Sequence, residues 1–96
     1  MKAEYWPFDQ SANCAVLTLK AIISGELPVL FVSHDICDAG WQFLSGEPVN
    51  EEDASVVALR EVVDLDPTIL ELADLPVGWV ASRNSANAAW ERISHT

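Results

Sequence analysis

The apolar residues of the chain fall in short stretches, and Gly, Pro or clustered polar residues separate them. Residues 15–23 read AVLTLKAII, with an apolar residue at every odd position, which is the period-two alternation of a strand with one better-buried face. Residues 28–33 read PVLFVS, which is apolar on both faces and typical of a central strand. The intervening SGEL is a turn signal in which Gly25 can adopt positive φ, so the two strands are predicted to form a hairpin.

The second half of the chain contains further short elements. WQFL at 41–44 predicts a strand with Trp41 and Phe43 on one face, VGWVAS at 77–82 predicts another, and AAWERI at 88–93 fits a final strand or a helical turn. Residues 51–64 leave two alternatives open: one helix capped by Asn50, or a strand over 55–58 followed by a helical turn. Asp66 and Pro67 are the expected cap and first turn of a short helix through 68–73.

Together these elements predict an α+β fold, with a small antiparallel sheet of three to five strands and one or two short helices packed on one face. The 96 residues suffice for one domain, which we place at 14–96 after a lead-in of residues 1–13. The lead-in aromatics Tyr5, Trp6 and Phe8 either tuck against the domain or mark a contact surface. No apolar run approaches the ~20 residues of a membrane helix, and the N-terminus lacks the apolar region of a secretory signal, so the expected location is the cytoplasm.

Charge limits the classes of partner that the chain can bind. Fifteen acidic residues face five basic ones, giving a formal net charge of −10, and residues 24–75 contain a single base, Arg60. Such a field repels nucleic-acid phosphates and anionic lipids, whereas it attracts cationic proteins and speeds their encounter. We therefore expect a protein partner and neither nucleic acid nor membrane. The alternative is that the charge serves solubility alone.

The sequence offers few residues for catalysis or for a metal. His34, Asp35, Cys37 and Asp38 lie close together, and a His-x-x-Cys pair can bind zinc. A structural zinc site takes four N or S ligands, however, and the only other histidine is His95. Ser33, His34 and Asp35 are consecutive, so their side chains point in different directions and form no triad. We expect no enzymatic activity, no metal and no cofactor. The two cysteines, Cys14 and Cys37, are predicted to be reduced and mostly buried thiols, because a secreted domain of this size usually carries more of them.

The stretch DAGWQFLSGEP, residues 38–48, places aromatic residues between two turn signals and between two acidic loops. Trp41 has two interpretations: a core residue, since Trp buries ~200 Å² or more, or a partly exposed anchor in a partner interface, where Trp is enriched. In either case the flanking acidic loops are the expected working surface.

Five short motifs, in order, resemble a known family over residues 14–93. They are Asp38-Ala39-Gly40-Trp41, Gly46-Glu47, Asp66-Pro67-Thr68-Ile69, Leu75-Pro76-Val77-Gly78 and Arg83. In this pattern the chain resembles a bacterial family of small acidic domains, first listed as a domain of unknown function and later grouped with the type-33 immunity proteins of polymorphic toxin systems. The family often has Arg-Glu after its second strand, where this chain has His34-Asp35. The resemblance also favours a strand followed by a helix over residues 55–64.

The resemblance implies a non-enzymatic protein that binds and neutralises a cognate toxin. Many such toxin domains are basic, so a cationic toxin is the expected partner. The alternative is an orphan structural or regulatory domain that forms a homodimer through Trp6, Trp79 or Trp90. Combined with the charge, the resemblance predicts a partner-binding surface built from two acidic loops around an aromatic residue, namely Asp35, Asp38, Trp41, Glu47, Glu51, Glu52 and Asp53.

Overall fold

A computed structural model describes residues 6–37 and 39–94. The strands are β1 (Ala15–Leu19), β2 (Phe31–His34), β3 (Trp41–Leu44), β4 (Ala54–Ala58), β5 (Trp79–Ser82) and β6 (Glu91–Ser94). The helices are α1 (Lys20–Ile23) and α2 (Leu59–Leu65), with 3₁₀ helices at Glu51–Asp53 and Pro67–Leu72. The predicted α+β class is confirmed, but six strands exceed the three to five expected. Over the described ranges, no helix is both long and apolar enough to cross a membrane.

The six strands form one sheet in the order β4-β1-β3-β2-β5-β6. β1 and β3 run parallel, whereas every other neighbouring pair is antiparallel, so the sheet is mixed and the prediction of an antiparallel sheet was wrong in this respect. The predicted β1–β2 hairpin is also wrong, because β3 lies between these strands. The physical reason is that β1 ends at Leu19 and the chain continues as the helical turn α1, so it does not reverse directly.

One face of the sheet carries the hydrophobic core. Val16, Val32, Trp41 and Phe43 project from three neighbouring strands into a single buried cluster. The helices cover this face: α2 contributes Leu59, Val62 and Val63 to the cluster, and the second 3₁₀ helix contributes Ile69 and Leu72. Of the alternatives for residues 51–64, the structure shows the strand followed by the helix. The start of α2 is fixed by Glu61, whose Oε2 accepts a 3.0 Å hydrogen bond from the backbone N–H of Ala58.

Asp66 and Arg83 form a buried ion pair that joins distant parts of the chain. Asp66 caps the Pro67–Leu72 helix as predicted, since its Oδ1 accepts a hydrogen bond from the Thr68 N–H at 3.1 Å, and its Oδ2 accepts one from Arg83 Nη2. Nε and Nη2 of Arg83 also donate to the carbonyl of Val29, at 3.1 and 2.9 Å. The guanidinium lies 4.0 Å from the ring centroid of Trp90. These contacts tie the end of β5 to the segment before β2 and to the 3₁₀ helix.

The described part of the lead-in, residues 6–13, packs against the core through its aromatic residues. Phe8 is buried and meets Trp41 edge-on, with ring centroids 5.3 Å apart. Gln10 links two indoles, because its backbone carbonyl accepts from Trp6 Nε1 and its side-chain Oε1 accepts from Trp41 Nε1. Trp6 and Phe8 therefore tuck against the domain, while Tyr5 lies outside the described residues.

Candidate functional site

The two acidic loops that were expected to form one surface lie at opposite ends of the sheet. Asp35 follows β2 and Glu47 follows β3, and these strands are antiparallel, with Phe31 opposite Leu44 and His34 opposite Trp41. The length of a four-residue strand, about 10 Å, therefore separates the two ends. Asp38 lies outside the described residues. The structure thus does not bring the two loops together as neighbours.

Residues 47–53, the acidic segment, form one cluster of exposed charge. Glu47, Glu51, Glu52 and Asp53 are all exposed, and none forms an ion pair with a residue that the structure describes. In contrast, three arginines are compensated by Asp, in the pairs Arg60–Asp64, Arg83–Asp66 and Arg92–Asp74. The acidic segment therefore presents four uncompensated carboxylates.

An open groove of about 280 Å³ lies against the acidic segment. Glu47 and Asp53 border it together with apolar residues. The apolar members are Leu19, Ala21, Leu27, Pro48 and Val49. Leu27 and Val49 are exposed, so the groove combines carboxylates with accessible apolar surface. This combination matches the polar rim and apolar centre of protein interfaces.

Asp35 has a structural role in its loop. Its Oδ1 accepts a 3.0 Å hydrogen bond from the Cys37 N–H, and its backbone N–H donates to the carbonyl of Gly40 at 2.7 Å. These bonds hold the turn between β2 and β3. Asp35 is only half-buried and borders a second open groove, of about 180 Å³, whose lining includes Ala15, Leu17 and Val56.

Trp41 lies in the core, which favours the first of its two interpretations. The side chain is 2% exposed and stacks on the imidazole of His34, with ring centroids 4.0 Å apart. The three tryptophans of the expected homodimer contact, Trp6, Trp79 and Trp90, are each partly buried and pack against the core. Trp41 is therefore not an exposed aromatic anchor in this structure.

The side chain of His34 has a structural role in the core. Its Nδ1 lies 2.7 Å from the carbonyl of Leu75, and a carbonyl only accepts, so Nδ1 carries the hydrogen. Its Nε2 is buried without a hydrogen-bond partner among the described residues. Ser33 points to the opposite face of the sheet because strand residues alternate, and Cys37 is exposed in the following turn. No group of three or more His, Cys, Asp or Glu within 6–37 and 39–94 is placed to hold a metal ion.

The face of the sheet opposite the core carries a row of residues that the sequence did not single out. The strand registers connect one residue from each strand, in the order Val56, Leu17, Gln42, Ser33, Val80 and Ile93. None of them belongs to the core cluster. The two ends of the row, Val56 and Ile93, are 68% and 51% exposed, whereas Val80 is buried and the three residues between Val56 and Val80 are half-buried. We call this surface the open face. The only indication of the open face in the sequence was ASVVA, residues 54–58, which has apolar residues at both odd-numbered and even-numbered positions.

Comparison of the chain with protein-family models, with curated proteins and with solved structures finds no match. The fold and the geometry of its surfaces are therefore the basis for a functional assignment.

Proposed function

We propose that this chain is a non-enzymatic binding protein of the immunity type, which neutralises a cationic bacterial toxin by covering it with an acidic surface. The observation that carries the proposal is the acidic segment, residues 47–53, with its four exposed carboxylates beside an apolar groove. The net charge of −10 supports the same class of partner. The proposal locates the protein in the cytoplasm, where an incoming toxin acts.

Two physical contributions explain how such a surface would bind. The negative field accelerates encounter with a cationic protein and orients it, an effect that salt weakens. The groove beside Glu47 and Asp53 then supplies apolar area that loses water on contact, through Leu27 and Val49. Charge thus governs the association rate, and the groove governs how long the complex lasts.

The motifs that carry the resemblance to the immunity family hold the scaffold. Asp66 and Arg83 form the buried ion pair, Trp41 fills the core, and Gly46 adopts a φ of +90°, which favours glycine. Residues 48–53 lie outside these motifs and are exposed. The acidic segment shares only Glu47 with these motifs, so its other three acids could differ between inhibitors that use such a scaffold for different partners.

The test is binding to the toxin domain encoded beside this protein's gene. The triple variant Glu51→Gln/Glu52→Gln/Asp53→Asn removes three charges from the acidic segment, and we expect it to slow association about tenfold at low salt. The matched control, Asp9→Asn/Glu71→Gln/Glu91→Gln, removes three exposed charges away from the groove and is expected to slow it no more than about threefold. Equal effects of the two variants, or no binding of the toxin, would contradict the proposal.

A further inference from the structure

We propose that the outer edge of β4 binds an extended, lysine- or arginine-rich segment of the partner as a seventh strand of the sheet. This inference rests on the proposed function and names the surface and the kind of segment that it recognises. Pairing with an exposed sheet edge is a general mode of peptide recognition, in which main-chain hydrogen bonds supply the affinity.

The backbone of β4 has the geometry that such pairing requires. Among the residues that the structure describes, β4 is an edge strand paired only with β1, over five consecutive residues without a bulge. Leu59 N–H donates to the carbonyl of Cys14, and antiparallel pairs alternate, so the backbone of Val57 also faces β1. The N–H and C=O of Val56 therefore point outward. The outward N–H groups of Ala54 and Ala58 already donate to the Glu51 carbonyl and to Glu61 Oε2, so Val56 is the centre of the accessible edge. Its side chain is 68% exposed on the open face.

The sequence of β4 leaves this edge unprotected. ASVVA contains no charge and no proline, which are the features by which proteins normally prevent an edge strand from pairing. The opposite edge strand, β6, carries Glu91 and Arg92, and Arg92 is bound to Asp74 and to the carbonyl of Glu71. Only one of the two edges is therefore suited to accept another strand.

The charges around β4 favour a basic occupant. The three acids of Glu51–Asp53 directly precede the strand, and Glu61 and Asp64 follow it. Two bases lie near this edge strand: Lys20, which follows Leu19 opposite Ala54, and Arg60, which pairs with Asp64. A strand laid along β4 passes the acidic 3₁₀ helix at one end and places an apolar side chain beside Val56. A second copy of this chain would bring another charge of −10 to the same edge.

Binding of a capped peptide of alternating Lys and Val, followed by amide NMR of the intact protein, tests the inference. We expect saturable shifts centred on β4 and roughly tenfold slower hydrogen exchange at the Val56 amide. The control peptide has the same sequence with alternate backbone nitrogens methylated, which preserves the charge but removes the strand hydrogen bonds. It is expected to bind at least about tenfold more weakly.

Two variants of the protein distinguish binding at the β4 edge from general electrostatic attraction of the basic peptide. Val56→Pro removes the outward N–H without changing charge, and Val56→Lys introduces the residue that natural edges use for protection. Each is expected to weaken peptide binding about tenfold. The matched control, Ile93→Lys, adds the same charge to the same face at the other edge and should leave binding within about twofold. If Val56→Pro fails to fold, Val56→Lys at this exposed position still decides the result.

Several outcomes would overturn the inference. Equal affinity for the methylated peptide would exclude strand pairing. Chemical-shift changes at Glu47 and Val49 instead of β4 would place basic ligands in the groove. That result would refute the edge site but would not contradict the proposed function. A dimer with a protected Val56 amide in the absence of peptide would assign the edge to a second copy. Absence of saturable binding would refute the edge site, while the toxin experiment decides the proposed function separately.

Discussion

Replacing Asp66 with Asn tests how much the buried ion pair with Arg83 contributes to stability. Asn caps a helix about as well as Asp, so the cap at Thr68 is retained. The change removes the charge and replaces Oδ2, which accepts the hydrogen bond from Arg83, with an NH2 group that cannot accept one. The Arg83 side chain is 1% exposed, and its cation would lose its only carboxylate partner among the described residues. Breaking a buried pair by removing one partner costs about 3–5 kcal/mol, because an uncompensated charge remains inside.

Two features of the site place the expected loss at the lower end of this range. The Asp66 side chain is 20% exposed, so water already screens part of the interaction. Arg83 also keeps its two hydrogen bonds to the Val29 carbonyl and its stacking on Trp90. We therefore expect a loss of about 3 kcal/mol in the free energy of unfolding, which for a domain of this size lowers Tm by about 12–24 °C.

Urea denaturation followed by tryptophan fluorescence measures this loss, and an unchanged slope would show that the folded state keeps its compactness. The control is Asp64→Asn, the same substitution two residues earlier in the exposed pair with Arg60, which should change stability by no more than about 0.5 kcal/mol. A loss below about 1 kcal/mol for Asp66→Asn would show that the buried pair is not the constraint that its geometry indicates.

The contacts described above lead to two further predictions, one for substitution of His34 and one for the reactivity of the cysteines. His34→Ala removes the stack on Trp41 and the hydrogen bond to Leu75, so we expect a loss of about 2–4 kcal/mol in urea denaturation, and His34→Phe, which keeps an aromatic ring, should lose less. Equal losses would contradict the stacking argument. Cys14 and Cys37 are both free, but the prediction that they are mostly buried was wrong, since Cys37 is exposed and Cys14 half-buried. Thiol titration of the folded protein should therefore give rapid reaction at Cys37 and slower reaction at Cys14.

Local features of the fold were predictable because a few neighbouring residues determine them. Asp66 and Pro67 marked a helix start, and the alternation of WQFL set β3 with Trp41 and Phe43 facing the core. The prediction of one strand over residues 15–23, with the odd positions on the buried face, was wrong: β1 ends at Leu19, and Val16 and Thr18 are buried while Ala15 is exposed. Apolar residues at 21 and 23 fit a continued strand as well as the observed helical turn. No local pattern distinguishes these, because the end of β1 depends on the strands that pair with it.

The pairing of the strands was not predictable from periodicity. β1 lies beside β3 and β4, which follow much later in the chain, and no side-chain pattern within β1 names those partners. The same limit applied to the candidate site. The acidic composition of Asp35 and the acidic segment was evident, but their separation depends on the directions of β2 and β3. The exposed backbone of Val56 likewise depends on the position of β4 at the edge of the sheet, which no local pattern predicts.

The parallel placement of β1 has a consequence for how the protein folds. Leu17 acquires its two neighbours, Gln42 and Val56, only after more than half of the chain is available. During synthesis the first strand therefore has no local partner with which to form a stable hairpin, and assembly must await β4. We expect a slow, all-or-none transition for the whole domain, because contacts so distant in sequence carry a large loop-closure cost.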